Sequence, residues 1–137
     1  MMNMIWKATS ICAALSLSAC AAPGPVKPIT PAPVCSTQAQ CTAEWAEART
    51  FVLNNAGFKI QTYSRDFFQT YNATGDSPSL AASVNKQPMA GGAYKIVASF
   101  WCDNIFGCIP NQRTTLDQFN RAVAAAGAHD TSLPSGR

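Results

Sequence analysis

Two pairs of cysteines with the same spacing constrain this chain of 137 residues most strongly. Cys35 and Cys41 are separated by five residues, and so are Cys102 and Cys108. An even number of cysteines in a small exported domain is typical of a disulfide framework. Four cysteines allow three connectivities, among which the sequence cannot choose strictly. We expect each pair to close on itself, because each pair brackets a short turn that enters a helix.

A zinc site built from the same four cysteines is the alternative to the disulfides. Structural zinc sites usually have about two to four residues between paired cysteines, whereas both gaps here contain five. An oxidising compartment would also consume the thiols. The spacing therefore predicts no metal site, and no other motif in the chain indicates a cofactor.

Residues 1–19 have the three-part layout of a secretory signal peptide. Lys7 precedes a weakly apolar run of twelve residues that ends in small side chains. This run is too short to span a bilayer, because a spanning helix needs about 20 apolar residues. We expect the segment to direct export and to be removed, together with Cys12.

Leu17-Ser18-Ala19-Cys20 resembles the lipobox of bacterial lipoproteins. The resemblance implies cleavage before Cys20 and attachment of diacylglycerol to its thiol, so that the membrane becomes a partner through the lipid. Two or three acyl chains, at about 0.8 kcal/mol per buried methylene, would make the anchor lasting. Ala21, where some lipoproteins have Asp, implies sorting to the outer membrane. The alternative is an ordinary signal-peptidase cut after Ala21, since Ala19-Cys20-Ala21 also fits the cleavage pattern.

Residues 20–34 are predicted to be a lipidated cysteine followed by a proline-rich tether. Five of the fourteen residues from 21 to 34 are proline, which fixes φ and removes backbone donors, so we expect neither helix nor sheet here. A polyproline-like chain would reach roughly 40 Å. We interpret it as a spacer that holds the domain away from the membrane. A proline-rich ligand for a partner's groove is the alternative.

Residues 35–127 are predicted to form one small α+β domain. Thr37 is a plausible N-cap with Gln40 as its capping-box partner, and Glu44 and Glu47 should be solvated. Gly57 suits a left-handed position at the helix end. The apolar side of this first helix is formed by Cys41, Trp45, Ala48, Val52 and Ala56.

Alternating apolar residues then predict four strands joined by short turns. The strands are expected at residues 58–63, 67–71, 80–84 and 93–102. A second helix follows, ended by Gly127, and residues 128–137 should be a disordered tail. Its apolar stripe is formed by Leu116, Phe119, Val123 and Ala126. The predicted fold is therefore helix, four-stranded antiparallel meander, helix, with both helices on one sheet face.

The charged residues do not point to nucleic acid or to catalysis. Nine basic and seven acidic residues remain after Lys7 is removed, and they are scattered rather than clustered. The only histidine, His129, is predicted in the tail, where nothing would orient it for catalysis. Glu44 and Glu47 could form a carboxylate pair, but their expected solvation favours plain surface charge. We therefore predict a chain with no catalytic residues, and a small envelope-acting hydrolase is the alternative.

The run from Trp101 to Cys108 is the most specific local feature. A disulfide between Cys102 and Cys108 would present Ile105 and Phe106 on a preorganised loop, as a candidate contact for a partner or a membrane surface. Alternatively, Phe106 folds back onto the sheet edge or the second helix. Half of the nearby aromatic cluster must be core, because adjacent strand residues face opposite sides, and the other half is a candidate binding surface. That cluster contains Tyr63, Phe67, Phe68 and Tyr71.

The lipobox, the tether, the cysteine-bracketed domain and the run from Trp101 to Cys108 together resemble a group of small proteobacterial lipoproteins. The resemblance implies no activity, and it assigns a role only to Cys20. We expect a periplasm-facing, non-enzymatic module anchored in the outer membrane that binds an envelope protein or assists envelope assembly. An inhibitor of an envelope-targeting enzyme, acting through Ile105 and Phe106, is a variant of this expectation.

Overall fold

The computed structural model describes residue 24 and residues 26–131, which form an α+β domain with two helices and a five-stranded antiparallel sheet. The strand order across the sheet is β1-β5-β4-β3-β2. In chain order the elements are β1 (Val34–Cys35), α1 (Gln38–Asn55), β2 (Ile60–Tyr63), β3 (Phe67–Thr70), β4 (Ala81–Pro88), a 3₁₀ turn (Ala90–Gly92), β5 (Tyr94–Trp101) and α2 (Gln112–Thr131).

Strands β2 to β5 form the expected antiparallel meander, and β1 is an additional edge strand. Val34 pairs with Lys95 and Cys35 with Tyr94. The prediction that residues 20–34 contain no sheet is therefore wrong at Val34. Pro33 has no N–H, but its carbonyl accepts a hydrogen bond from the Ile96 amide at 2.9 Å. Proline is tolerated on an edge strand because the backbone position that lacks an N–H faces solvent there, not a neighbouring strand.

Helix α1 begins as its capping residues predict. The Thr37 hydroxyl accepts from the Gln40 amide at 3.1 Å, and the Gln40 side chain accepts from the Ser36 amide at 2.9 Å. Four of the five residues predicted for its apolar side are buried: Cys41, Trp45, Ala48 and Val52. The expected solvation of Glu44 is wrong, because this residue is only 1% exposed.

The two glycines expected to end the helices have other roles. Gly57 follows α1 without a positive φ, and a Cβ there would lie 2.5 Å from the Cβ of Ser79. Close approach between the two segments, rather than a left-handed cap, therefore requires glycine. Gly127 lies inside α2, which continues to Thr131 and so replaces the first residues of the predicted tail with helix. Residues 132–137 lie outside the described residues.

The hydrophobic core lies between the helices and one face of the sheet. On β5, Ile96, Ala98 and Phe100 are buried, while Ser99 between them is exposed, as one-sided packing of a pleated strand requires. The rings of Phe51, Phe100 and Phe119 meet edge to face at 5.5 to 6.3 Å. The buried cluster is Trp45, Ala48, Val52, Phe68, Leu80, Ala82, Val84, Ile96, Ala98, Phe100, Phe119 and Val123.

Candidate functional site: the disulfide loop and the docked segment

The disulfides join Cys35 to Cys41 and Cys102 to Cys108, so the expected local pairing is confirmed. The first bond ties edge strand β1 to the first turn of α1, and both of its cysteines are buried. The second closes residues 102–108, which we call the disulfide loop, directly after the last residue of β5. Cys108 packs partly against the core, so the loop is attached to the domain at both ends.

The disulfide loop is held in one conformation by its own hydrogen bonds. The Asn104 side-chain oxygen accepts from the Phe106 amide at 2.9 Å, and the Asn104 carbonyl accepts from the Gly107 amide at 3.2 Å. Gly107 has a φ of 105°, a conformation that L side chains rarely adopt. Asn104 therefore folds the loop into a tight turn that Gly107 completes.

A second segment braces the loop from the side. The Asp103 amide donates to the Ser77 carbonyl at 3.2 Å, and the Ile109 amide donates to the Pro78 carbonyl at 2.8 Å. These bonds attach both ends of the loop to the turn between β3 and β4. The disulfide loop is thus fixed by one covalent bond and by hydrogen bonds to a distant part of the chain.

Three apolar side chains in and next to the disulfide loop are exposed to solvent. Ile105 is 90% exposed, Phe106 is 92% exposed and Ile109 is 73% exposed. We call these three residues the apolar tip. The alternative in which Phe106 folds back onto the domain is wrong, because nothing among the described residues covers its ring. Such exposure at adjacent residues is unusual for a small domain and makes the apolar tip a candidate contact surface.

Residues 27–33, which we call the docked segment, lie against helix α2 instead of extending freely. The Thr30 amide and hydroxyl both donate to Asp117 Oδ1, at 2.8 and 2.7 Å. The Thr30 carbonyl accepts from Asn120 Nδ2 at 2.6 Å, and the Lys27 carbonyl accepts from Arg113 Nη2 at 2.8 Å. These bonds to Thr30 lower the pKa of the Asp117 carboxyl, helped by the charges of Arg121 and Lys27.

Glu44 has a raised pKa, but its position does not suit a catalytic acid. Burial raises the pKa of its carboxyl, and the hydrogen bond from Gln40 Nε2 at 3.1 Å lowers it by less. Its Oε2 atom has no hydrogen-bond partner among the residues that the structure describes. Gly127 of α2 packs directly on its side chain. The carboxyl is therefore enclosed between the two helices, out of reach of a substrate.

The aromatic cluster divides between the two faces of the sheet, as expected. Phe68 is fully buried beneath Trp45, with ring centroids 5.2 Å apart. Tyr63 stacks on Phe68, and the guanidinium carbon of Arg49 lies 5.3 Å from the centroid of the Tyr63 ring. By strand alternation the half-buried Phe67 lies on the opposite face, where neither of the described helices packs. That face is a second candidate binding surface.

The remaining predicted residues contribute little to a site. His129 is exposed on the last turn of α2 rather than in a tail. Within the part of the chain that the structure describes, no three His, Cys, Asp or Glu side chains are grouped to hold a metal ion. Cys20 lies outside the described residues. No described helix combines the length and apolarity needed to cross a membrane.

Comparison with known proteins gives no relative for this chain. No family model matches it, and no curated protein or solved structure is significantly similar to it. Function must therefore be argued from the geometry of the disulfide loop and the docked segment.

Proposed function

We propose that this chain is a lipoprotein anchored through Cys20 in the outer membrane, where it acts as a non-enzymatic binding or envelope-assembly module facing the periplasm. The likeness of Leu17-Ser18-Ala19-Cys20 to a lipobox supports the anchor, and the proline-rich segment after it supports a connection between that anchor and the domain. Two disulfides in a small domain suit an oxidising compartment such as the periplasm.

The observation that carries the binding role is the exposure of Ile105 and Phe106 on a rigid loop. Burying a Phe or Ile side chain is worth about 1.5–3 kcal/mol, so keeping both in water forgoes stability that folding back would provide. The disulfide and the Asn104 turn prevent that folding back. A preorganised apolar contact loses little entropy on binding, which favours recognition over catalysis as its role.

The anchor is tested by Cys20→Ser, with Cys12→Ser in the preceding signal segment as the matched control. We expect Cys20→Ser to release the protein from membranes or to block its maturation, because the thioether to lipid needs that thiol. Cys12→Ser should leave processing and membrane association unchanged. Membrane fractionation measures the association, and mass spectrometry of the amino terminus measures the processing. A correctly processed Cys20→Ser protein that stays in the membrane would place the anchor elsewhere.

The contact surface is tested by Phe106→Asp, with Met89→Asp as a control on another exposed apolar residue. Crosslinking in intact envelopes should show fewer adducts for Phe106→Asp and none lost for Met89→Asp, while circular dichroism shows both variants folded. An unchanged crosslinking pattern for Phe106→Asp would remove the disulfide loop from the binding role. An inhibitor of an envelope-targeting enzyme remains the second candidate, because an exposed rigid loop also suits insertion into an enzyme cleft.

A further inference from the structure

We propose that the partner of the apolar tip is the lipid surface itself, so that the domain rests on the bilayer with its disulfide loop inserted among the headgroups. This inference rests on the proposed lipid anchor and names what the tip contacts. The reason is the point at which the docked segment leaves the domain. This point lies at the same end of the domain as the apolar tip.

The docked segment runs beside β5 toward the end of that strand. β1 is antiparallel to β5, and Pro33 continues the pairing at Ile96. Farther upstream, Ile29 and Phe100 line one shallow cavity. Moving from residue 33 back to residue 27, the chain therefore follows β5 in the direction in which β5 approaches Cys102.

The segment then leaves the domain beside the disulfide loop. The Lys27 carbonyl is bound by Arg113, which lies in the first turn of α2 and only four residues after Ile109 of the apolar tip. Lys27, the first residue of the docked segment, therefore lies at the end of the domain that carries the apolar tip. The opposite end of β5 carries the turn at Met89, about eight residues or roughly 25 Å along the strand.

Docking shortens the distance at which an anchor at Cys20 would hold the domain. Six residues lie between Cys20 and Lys27, and the seven steps from Cys20 to Lys27 span at most about 25 Å when the chain is fully extended. A free tether ending at residue 34 would reach roughly 40 Å. The shorter connection, attached at the tip end, places the apolar tip within reach of the surface that carries the lipid.

The chemistry of the tip suits lipid better than a protein groove. Residues 105–109 carry no charge, and Arg113, which follows Ile109 by four residues, donates to the Lys27 carbonyl, so two cationic residues lie at the tip end of the domain. Asp103 is exposed in the same loop, and its Oδ2 accepts from the Asp76 amide at 3.4 Å, which ties this carboxylate to the turn between β3 and β4. The three side chains of the apolar tip supply by themselves less than the roughly 1,000 Å² that a specific protein interface buries, so a protein partner would need further contacts. The three side chains suffice for a surface contact when an anchor keeps the local concentration high.

The test uses the full lipidated chain in vesicles of phosphatidylethanolamine and phosphatidylglycerol. Benzoylphenylalanine replaces Phe106 in one protein and Met89, at the opposite end of β5, in the control. On irradiation we expect about tenfold more lipid adduct at position 106 than at 89, the ratio for burying one large apolar side chain. Equal lipid labelling at the two positions would overturn the inference.

Two further outcomes separate this inference from the proposed function. Protein adducts at position 106 in intact envelopes, without lipid adducts, would overturn lipid docking and leave a binding module standing. Retention of Cys20→Ser in membranes would contradict the anchor itself. Finally, Asp117→Asn removes a carboxylate from the Thr30 contact, so it should lower lipid labelling at position 106 several-fold. Unchanged labelling would show that the docked segment does not orient the tip.

Discussion

At the scale of single residues, Glu44 is the position where burial and charge oppose each other most. Its carboxyl lies between α1 and α2 with one hydrogen bond, from Gln40, and its Oε2 atom lacks a partner among the described residues. Burying a polar atom without a hydrogen bond is unfavourable, and burying its charged form is more so. The folded protein therefore favours the protonated carboxyl, which is why burial raises its pKa.

Glu44→Gln should stabilise the protein at neutral pH, by about 1–3 kcal/mol, because it removes a buried charge and keeps an oxygen for the Gln40 amide. Because the pKa is raised in the folded state, protonated Glu44 contributes fully to the free energy of unfolding below its ordinary pKa of 4.5. This contribution is lost as the pH rises through the raised pKa. The advantage of the variant should thus be large at pH 8 and small at pH 4.5. Urea unfolding at both pH values measures it.

Glu47→Gln is the matched control, one turn further along α1 and only half-buried. Its free energy of unfolding should differ from that of the parent protein by less than about 0.5 kcal/mol at either pH. An equal gain for both substitutions would mean that general surface charge, rather than the burial of Glu44, sets the effect.

At the scale of elements, the contact between the two helices depends on the absence of a side chain at residue 127. A Cβ at Gly127 would lie 2.8 Å from Glu44 Cγ and 2.9 Å from Cδ, closer than real contacts. In an exposed helix, Gly→Ala gains about 1 kcal/mol from helix propensity. Here the steric conflict opposes that gain.

Gly127→Ala should therefore destabilise the protein by about 1–3 kcal/mol, the usual effect of overpacking. In a Glu44→Ala background the same substitution meets open space, so it should become neutral or stabilising by about 1 kcal/mol. Thermal unfolding of the four proteins of this double-mutant cycle gives the coupling. Additive effects would show that the helices do not meet at these two residues.

The disulfide loop gives a second prediction at the scale of elements. Replacing Cys102 and Cys108 by Ala should lower the free energy of unfolding by about 2–3 kcal/mol, the loop-closure value for seven residues. Phe106→Ala, which keeps the disulfide and removes a 92% exposed side chain, should change it by less than about 0.5 kcal/mol.

Alkylation under non-reducing conditions checks the pairing independently. The mature domain should contain no free thiol among Cys35, Cys41, Cys102 and Cys108, because the described disulfides use all four. Labelling of any of these cysteines in most molecules would contradict the framework.

At the scale of the whole molecule, the docked segment connects the amino-terminal part of the chain to α2 through Asp117. The lowered pKa of this carboxyl means that its contribution to docking is present above its ordinary value of 3.8 and is lost as the pH falls through the lowered value. Hydrogen bonds from Thr30 to a neutral side chain are also weaker than those to a carboxylate.

Asp117→Asn should therefore speed hydrogen exchange at the Thr30 amide several-fold at pH 7, while exchange in the core strands stays unchanged. Arg121→Gln is the control, because it removes the 2.7 Å ion pair with Asp117 and keeps both Thr30 contacts. If the two variants speed exchange equally, the ion pair rather than the direct hydrogen bonds holds the segment. The parent protein should show the same acceleration only at acid pH.

The sequence alone determined the features that depend on neighbours along the chain. The Thr37 cap, the buried stripe of α1 and the four meander strands follow from helical and strand periods. Among the three possible disulfide connectivities, the sequence favoured the local one, which the structure has. Ile105 and Phe106 of the apolar tip could be named for the same reason, because the cysteines on either side of them are six positions apart, whereas Ile109 lies outside that disulfide and was not predicted.

Tertiary structure decided what depends on residues distant in sequence. Thr30 and Asp117 are 87 positions apart. A short-range sequence pattern therefore could not predict that residues 27–33 pack against α2 or that Val34 extends the sheet. Gly127 lies inside α2 and Glu44 is buried because the two residues contact each other, and neither local pattern predicts that contact. The exposure of Phe106 was undecided by sequence for the same reason. An apolar side chain is buried or exposed according to the surfaces that the rest of the fold brings near it.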